Sequence, residues 1–218
     1  MKTIAELNAV KEKMQAVVDF RSEDASVNKK ACKYERQVLV CAGTGCTSSG
    51  SQKIADKLEE EIAKAGLSEK VCVIRTGCHG LCALGPVMII YPEAAFYSRT
   101  DIDHIPEIVE EHLVKGNVVT KYLYEETIVD DTIISMHETH FYKKQNRVAL
   151  RNCGVINPEN IEEYIARDGY QALYKCLTEK SKKDVVDDLI ASGLRGRGGG
   201  GFPTGRKWLF AMGGAPGT

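Results

Sequence analysis

The chain has 218 residues, 43% of them hydrophobic, and its 29 basic and 30 acidic side chains leave a formal net charge of −1. That balance excludes a general polyanion binder, so no nucleic-acid partner is expected, and no apolar run approaches the length of a membrane span. The charged N-terminus "MKTIAELNAVKEKMQ" has no secretory pattern, which makes the cytoplasm the expected location; in that reducing setting the eight cysteines point to metal or redox chemistry more than to disulfides.

Residues 3–20 have the stripe of an amphipathic helix, with Ile4, Leu7, Met14, Val17 and Val18 on one side. Two readings stay open for it: a helix packed on its own domain, or a docking helix for a partner. "RSEDASVNKKACKYE" follows as a polar linker, with Cys32 as a bystander. "RQVLVCAG" is a strand by its β-branched run. "TSSGSQKIADKLEEEIAKAG" is a helix with Ile54, Leu58 and Ile62 on one face and Gly66 as its stop. "KVCVIRTG" is a second strand, with Cys72 packed inside it as a small apolar residue. "PVMIIYP" and "AAFYSRT" pair as an antiparallel hairpin. "DIDHIPEIVEEHLVKG" is a helix capped by Thr100 or Asp101 and ended at Gly116. The order predicts an α/β fold: a small sheet with helices packed on it, in the thioredoxin-like arrangement, over residues 35–124, preceded by the helix and linker at 1–34.

From 125 to 152 no period is sustained, and the stretch reads as a long connector. Helical patterns return from 153 onward. "NPENIEEYIARDG" has Asn157 as cap and Pro158 at the first helical position, and two short helices follow in "YQALYKCLTE" and "KKDVVDDLIASG". "MHETH" spaces His137 and His140 by three residues but lacks the order of a zinc protease, so no metal role is assigned to it.

Two cysteine pairs dominate the chemistry. Cys41 and Cys46 read C-x4-C after the first strand, and Cys78 and Cys82 read C-x3-C after the second. Loops at the same end of neighbouring strands meet in space, so four thiolates can converge on one centre. Residue types alone leave both a zinc tetrathiolate and an iron–sulfur cluster open, since glycine-lined amides suit the sulfurs of either. A zinc or metal-free unit would make the chain a non-catalytic subunit-docking module. His79, between two of the cysteines, is expected to face solvent or to stand behind the ligands. Cys153 and Cys176 lie outside the constellation and read as packed thiols.

The second informative stretch is "SGLRGRGGGGFPTGRKW". Its glycines bring bare backbone close to a ligand, Arg195, Arg197, Arg206 and Lys207 add positive charge, and Phe202 and Trp208 offer flat surfaces. A helix start near 203–205 would assist anion binding. It is not a Walker A loop, because Gly205 is followed by Arg206, Lys207 and Trp208. Nor does it have a dinucleotide-fold context, because a helix precedes it.

"CAGTGCTSSGS" with "RTGCHGLCALGP" resembles the thioredoxin-like 2Fe-2S ferredoxins. "RNCGVINPENIEEYIARDGYQAL" followed by "SGLRGRGGGGFPTGRKW" resembles the NADH-binding flavoprotein subunit of respiratory complex I and its soluble relatives, above all those of electron-bifurcating iron-only hydrogenases and NAD(P)-linked formate dehydrogenases. The first resemblance implies that Cys41, Cys46, Cys78 and Cys82 hold a 2Fe-2S cluster. The second implies an FMN/NADH-binding domain starting at 153. In it Gly196, Arg197 and Gly198 approach FMN, Lys207 contacts its phosphate-bearing chain and Phe202 stacks on NAD(H), while Gly199, Gly200, Gly201 and Gly205 complete the stretch. The whole would be a subunit of an NAD(P)H oxidoreductase in which hydride passes between nicotinamide and FMN, and single electrons pass through the cluster. Its partners would be other iron–sulfur subunits, among them a hydrogenase or formate dehydrogenase catalytic subunit and a small ferredoxin-like subunit. That family continues past this point with further FMN and NADH contacts and a 4Fe-4S cysteine set, so the chain is expected to be an N-terminal portion, inactive alone.

Overall fold

The computed structural model describes residues 3–22, 28–130 and 132–213. Residues 23–27, in the middle of the expected linker, and 214–218 lie outside them. The chain forms two compact units. One is Asn8–Arg167; the other takes in the start of the first helix and the chain from Asp168 onward.

In the first unit, helix α1 (Ile4–Asp19) leads to strand β1 (Arg36–Cys41). A single helical turn α2 (Thr44–Ser48) precedes helix α3 (Ser51–Lys64) and strand β2 (Val71–Thr76). Strands β3 (Met88–Tyr91) and β4 (Ala95–Tyr97) form the expected hairpin. The sheet runs β2-β1-β3-β4, with β1 parallel to β2 and antiparallel to β3. A parallel neighbour needs a crossover, and α3 supplies it. Its Ile54, Ala55, Leu58 and Ile62 are buried on the sheet beside Val38, Val40, Met88 and Ile90. Each large aliphatic side chain so buried contributes roughly 1.5–3 kcal/mol of transfer free energy. The sequence pattern placed one continuous helix from Thr47. The backbone breaks at Gly50, whose φ of 91° only glycine adopts without strain, and this sets α2 apart from α3.

The next helix is capped by Asp101, whose carboxylate accepts the Asp103 amide at 3.1 Å. It starts as one tight turn, continues as α4 (Ile105–Ile108) and ends in a π-helical stretch, Val109–Val114. That stretch turns His112 fully inward, where its Nδ1 lies 2.9 Å from the Tyr97 hydroxyl. The Val119 amide donates to the same hydroxyl at 3.2 Å, and His112 Nε2 lies 3.5 Å from a Glu93 carboxylate oxygen.

The stretch from 125 to 152 holds a short hairpin, β5 (Ile128–Val129) with β6 (Thr132–Ile133), and one turn of helix, α5 (His140–Lys143). Met136 and Tyr142 from this stretch join an apolar cluster with Leu39, Cys41, Cys46 and Phe96. Helix α6 (Ile161–Ala166) is capped by Asn160, not by Asn157. Asn157 instead caps the preceding turn, accepting the Glu159 amide at 3.0 Å, and this puts the "NPEN" segment ahead of the helix. Ala166 packs on Met14 and Val18 of α1, so this part of the α1 stripe is a core face.

The second unit contains α7 (Gln171–Thr178), α8 (Lys182–Ala191) and α9 (Thr204–Met212). Ser181 and Asp184 close a capping box on α8. Helix α9 packs against α8 through the buried Gly205. No helix among the described residues is long and apolar enough to cross a membrane.

Candidate metal centre and glycine-rich loop

Strand β1 ends on Cys41, opposite Thr76, the last residue of β2. Because the two strands run parallel, the loops after them leave the same edge of the sheet. Cys46 rides on α2 and Cys82 opens a short turn, Cys82–Leu84. Cys41 and Cys46 are buried, Cys78 is half-buried and Cys82 is exposed.

The two loops touch. A Cβ on Gly43 would stand 2.9 Å from the Cβ of Cys78, and one on Gly85 would stand 2.9 Å from the Cys46 sulfur. Both positions need glycine because a cysteine from the opposite loop fills the space. The Gly80 amide donates to the Cys78 sulfur at 3.3 Å.

The electrostatics fit a cationic centre. Burial pushes the Cys41 thiol up to about 11, and the neighbouring Cys46 adds to the rise. Cys82 is pushed up chiefly by Cys78, with Cys41 contributing. Thiols that raise one another's pKa are groups whose negative charges crowd together, and a bound cation would relieve that crowding and displace the protons. Among the described residues no group of three or more His, Cys, Asp or Glu side chains is gathered closely enough to hold a metal ion.

Of the two expectations for His79, facing solvent or standing behind the cysteines, the structure removes the first. His79 is 2% exposed and does not face solvent. Burial, the Arg147 charge and His137 hold its imidazole down at about 4, and neither ring nitrogen has a hydrogen-bond partner among the described residues. Gly154 lies against the ring: a Cβ there would stand 2.5 Å from Nδ1. The Tyr142 hydroxyl donates to the His79 carbonyl, and burial pushes that hydroxyl up to about 12, so it stays a donor at neutral pH. Arg147 donates to the Cys153 carbonyl at 2.7 Å and sits over the Tyr142 ring at 5.9 Å. Sequence spacing gave no hint of Tyr142, which comes from the stretch without periodicity, or of Gly154, which lies just beyond it.

Cys72 is half-buried in β2, and burial raises its thiol, as a packed thiol requires. Cys32 accepts a hydrogen bond from Gln37 at 3.4 Å.

In the second unit, the loop between α8 and α9 closes on itself. Arg195 bridges Pro203, and the Gly196 amide donates to the Phe202 carbonyl at 2.9 Å. Gly198, Gly199, Gly200 and Gly201 have open space where a side chain would be, and Arg197, Phe202 and Lys207 are exposed. Gly205 differs: a Cβ there would stand 2.6 Å from the Ile190 amide nitrogen, so helix packing occupies it. Beneath α9, Cys176, Leu177, Val186, Trp208 and Met212 line an open groove of about 680 Å³.

Residues 1–113 match the thioredoxin-like 2Fe-2S ferredoxin family, and the chain belongs to it. The ferredoxin described as "Ferredoxin, 2Fe-2S" from Clostridium pasteurianum is 40% identical over 76 residues, which cover 35% of this chain and 74% of that protein. The NADP-reducing hydrogenase subunit HndC of Solidesulfovibrio fructosivorans is 56% identical over 78 residues, 36% of this chain and 16% of the relative. An NADH-quinone oxidoreductase subunit of Aquifex aeolicus is 53% identical over 53 residues, 24% of this chain and 12% of the relative. The matched stretches thus span a small part of these two longer subunits.

Proposed function

We propose that this chain is an electron-transfer portion of a multisubunit NAD(P)H oxidoreductase, with Cys41, Cys46, Cys78 and Cys82 as the ligands of its 2Fe-2S cluster. The observation that carries the reading is the meeting of two thiol pairs at one edge of a parallel strand pair. A bound 2Fe-2S cluster supplies one-electron transfer. The chain's own contribution is positional. Strands β1 and β2 fix the loop ends, Gly43 and Gly85 let the loops close, and the backbone amide of Gly80 offers a hydrogen bond to the Cys78 sulfur. The apolar cluster around Cys41 and Cys46 keeps water from that side.

The glycine-rich loop supports a second part of the reading. Its open glycine backbone, with exposed Arg197 and Lys207, suits the phosphate-bearing chain of FMN, and exposed Phe202 offers a face to a nicotinamide dinucleotide. Gly196, Gly198, Gly199, Gly200 and Gly201 would line that cradle, while Gly205 serves it indirectly by holding α9 on α8. FMN, when bound, supplies the exchange between a hydride and single electrons. The relatives are named as subunits of a hydrogenase and of a quinone oxidoreductase, which favours other iron–sulfur subunits of such an assembly as partners, with the cytoplasm as the proposed location. Bifurcating hydrogenases and formate dehydrogenases belong to the same reading, as does a 4Fe-4S centre in the remainder of such a subunit.

The test is optical. Chain purified without oxygen is expected to be brown, with broad visible absorption bleached by dithionite. Colourless protein carrying zinc would overturn the reading. Added FMN is expected to lose fluorescence on binding, and a flavin signal indifferent to the chain would remove the second part.

A further inference from the structure

The His79–Gly80 peptide has both of its polar groups engaged. Its carbonyl accepts the Tyr142 hydroxyl, and its N–H, carried by Gly80, donates to the Cys78 sulfur at 3.3 Å. Gly80 holds φ of 90°, the left-handed conformation that aims this N–H at sulfur. Hydrogen bonds at the two ends of one amide strengthen each other, because a donor on the oxygen draws charge from the nitrogen and makes its proton a better donor.

Tyr142 is itself fixed. It is 5% exposed, with Phe141 and His137 edge-on at 5.3 Å each. Its helical turn is anchored by the Thr139 hydroxyl, which donates to the Met136 carbonyl at 2.7 Å, and by the His140 amide, which donates to Glu126 at 3.2 Å. All of these residues lie beyond the 113 that match the ferredoxin family. The hydroxyl is thus supplied from outside the ferredoxin portion.

We propose that Tyr142 is a positioning residue for the cluster, acting through the His79–Gly80 peptide to strengthen the hydrogen bond on the Cys78 sulfur and so to raise the reduction potential. The proposal rests on the cysteine-quartet reading above. A stronger N–H···S bond favours the more negative, reduced state, and removing the phenolic donor lowers the potential.

The test uses the full chain, loaded with iron and sulfide without oxygen, as wild type and as Tyr142→Phe. With equal iron per chain, the variant is expected to have a more negative midpoint potential and a shifted Fe–S(Cys) stretch in resonance Raman. It is also expected to lose iron to a chelator roughly fivefold faster. A loaded variant with unchanged potential overturns the proposal, because a purely structural role would alter retention alone. If Tyr142→Phe does not load, a ring-fluorinated tyrosine placed at position 142 decides: a stronger donor raises the potential, and an unchanged value overturns the idea. A wild-type chain that takes up no cluster overturns the quartet reading, and this proposal with it.

Discussion

Arg21 grips both carboxylate oxygens of Glu163, at 2.6 and 3.0 Å, with the two side chains 1% and 4% exposed. The same guanidinium donates to the Gln37 side chain and to the Val155 carbonyl at 2.7 Å, and Glu163 also accepts the Asn157 amide at 2.7 Å. Four segments are thereby tied together: the end of α1, the start of β1, the turn before α6, and α6 itself. A buried pair whose charges are fully hydrogen-bonded is costly to halve.

Arg21→Met is therefore expected to destabilise the first unit by about 3–5 kcal/mol, because it leaves the Glu163 carboxylate buried without its partner. Chemical denaturation of the apoprotein measures this. Pairing Arg21→Met with Glu163→Leu should recover much of the loss; a double variant as unstable as the single one would show that the ion pair is not the source.

Cys46→Ser is expected to abolish the visible absorption of the iron-loaded chain, since Cys46 is buried at the meeting of the two loops. Cys176→Ser, at the mouth of the α7–α9 groove, should leave the spectrum intact. Absorption with iron and sulfide counts on both variants checks the pair together.

The glycines of the second unit should separate into two kinds. Gly200→Ala places a methyl in open space, so the melting curve should not move while FMN binding weakens. Gly205→Val drives a side chain into the Ile190 backbone and should loosen α9 from α8 with or without nucleotide. Trp208 on α9 is the chain's one tryptophan, and its fluorescence reports the second change directly.

Acid stability should depend on Glu93. Burial acts to raise its pKa, but the neighbouring His112 and the Arg36 charge outweigh it, so its carboxyl is held below the usual 4.5. Arg36 reaches one oxygen at 2.8 Å and His112 lies 3.5 Å from the other. A depressed folded pKa contributes stability that is present above 4.5 and is lost as pH falls through the lowered value. Wild-type apoprotein should therefore lose more stability than Glu93→Gln as pH drops below 4.5. Melting temperatures that fall in parallel would refute the assignment.

The strand order and the cysteine pairs were legible because each rests on a local signal: β-branched runs, a crossover helix with one apolar face, and fixed spacings next to glycine. His79 was half legible, since its place between Cys78 and Cys82 was visible but its burial depends on Gly154, seventy-five residues later. Tyr142 could not be read at all. Its segment has no periodicity, and its role comes from a single hydroxyl reaching a backbone carbonyl across the chain. The boundary between α2 and α3 was missed because serines around Gly50 look like an ordinary helix start, whereas the break comes from the glycine's left-handed backbone. The loop at 195–203 was legible as an open, basic surface, but the packing duty of Gly205 needed the position of Ile190.

The residue-by-residue match of Arg36 to Val71 through Cys41 to Thr76 has a consequence for biogenesis. A slip of a single position would turn Cys41 to the opposite face and leave an incomplete set of sulfurs. If the quartet holds the cluster proposed above, only molecules that have aligned correctly would keep iron, and metal acquisition would double as a check on strand register.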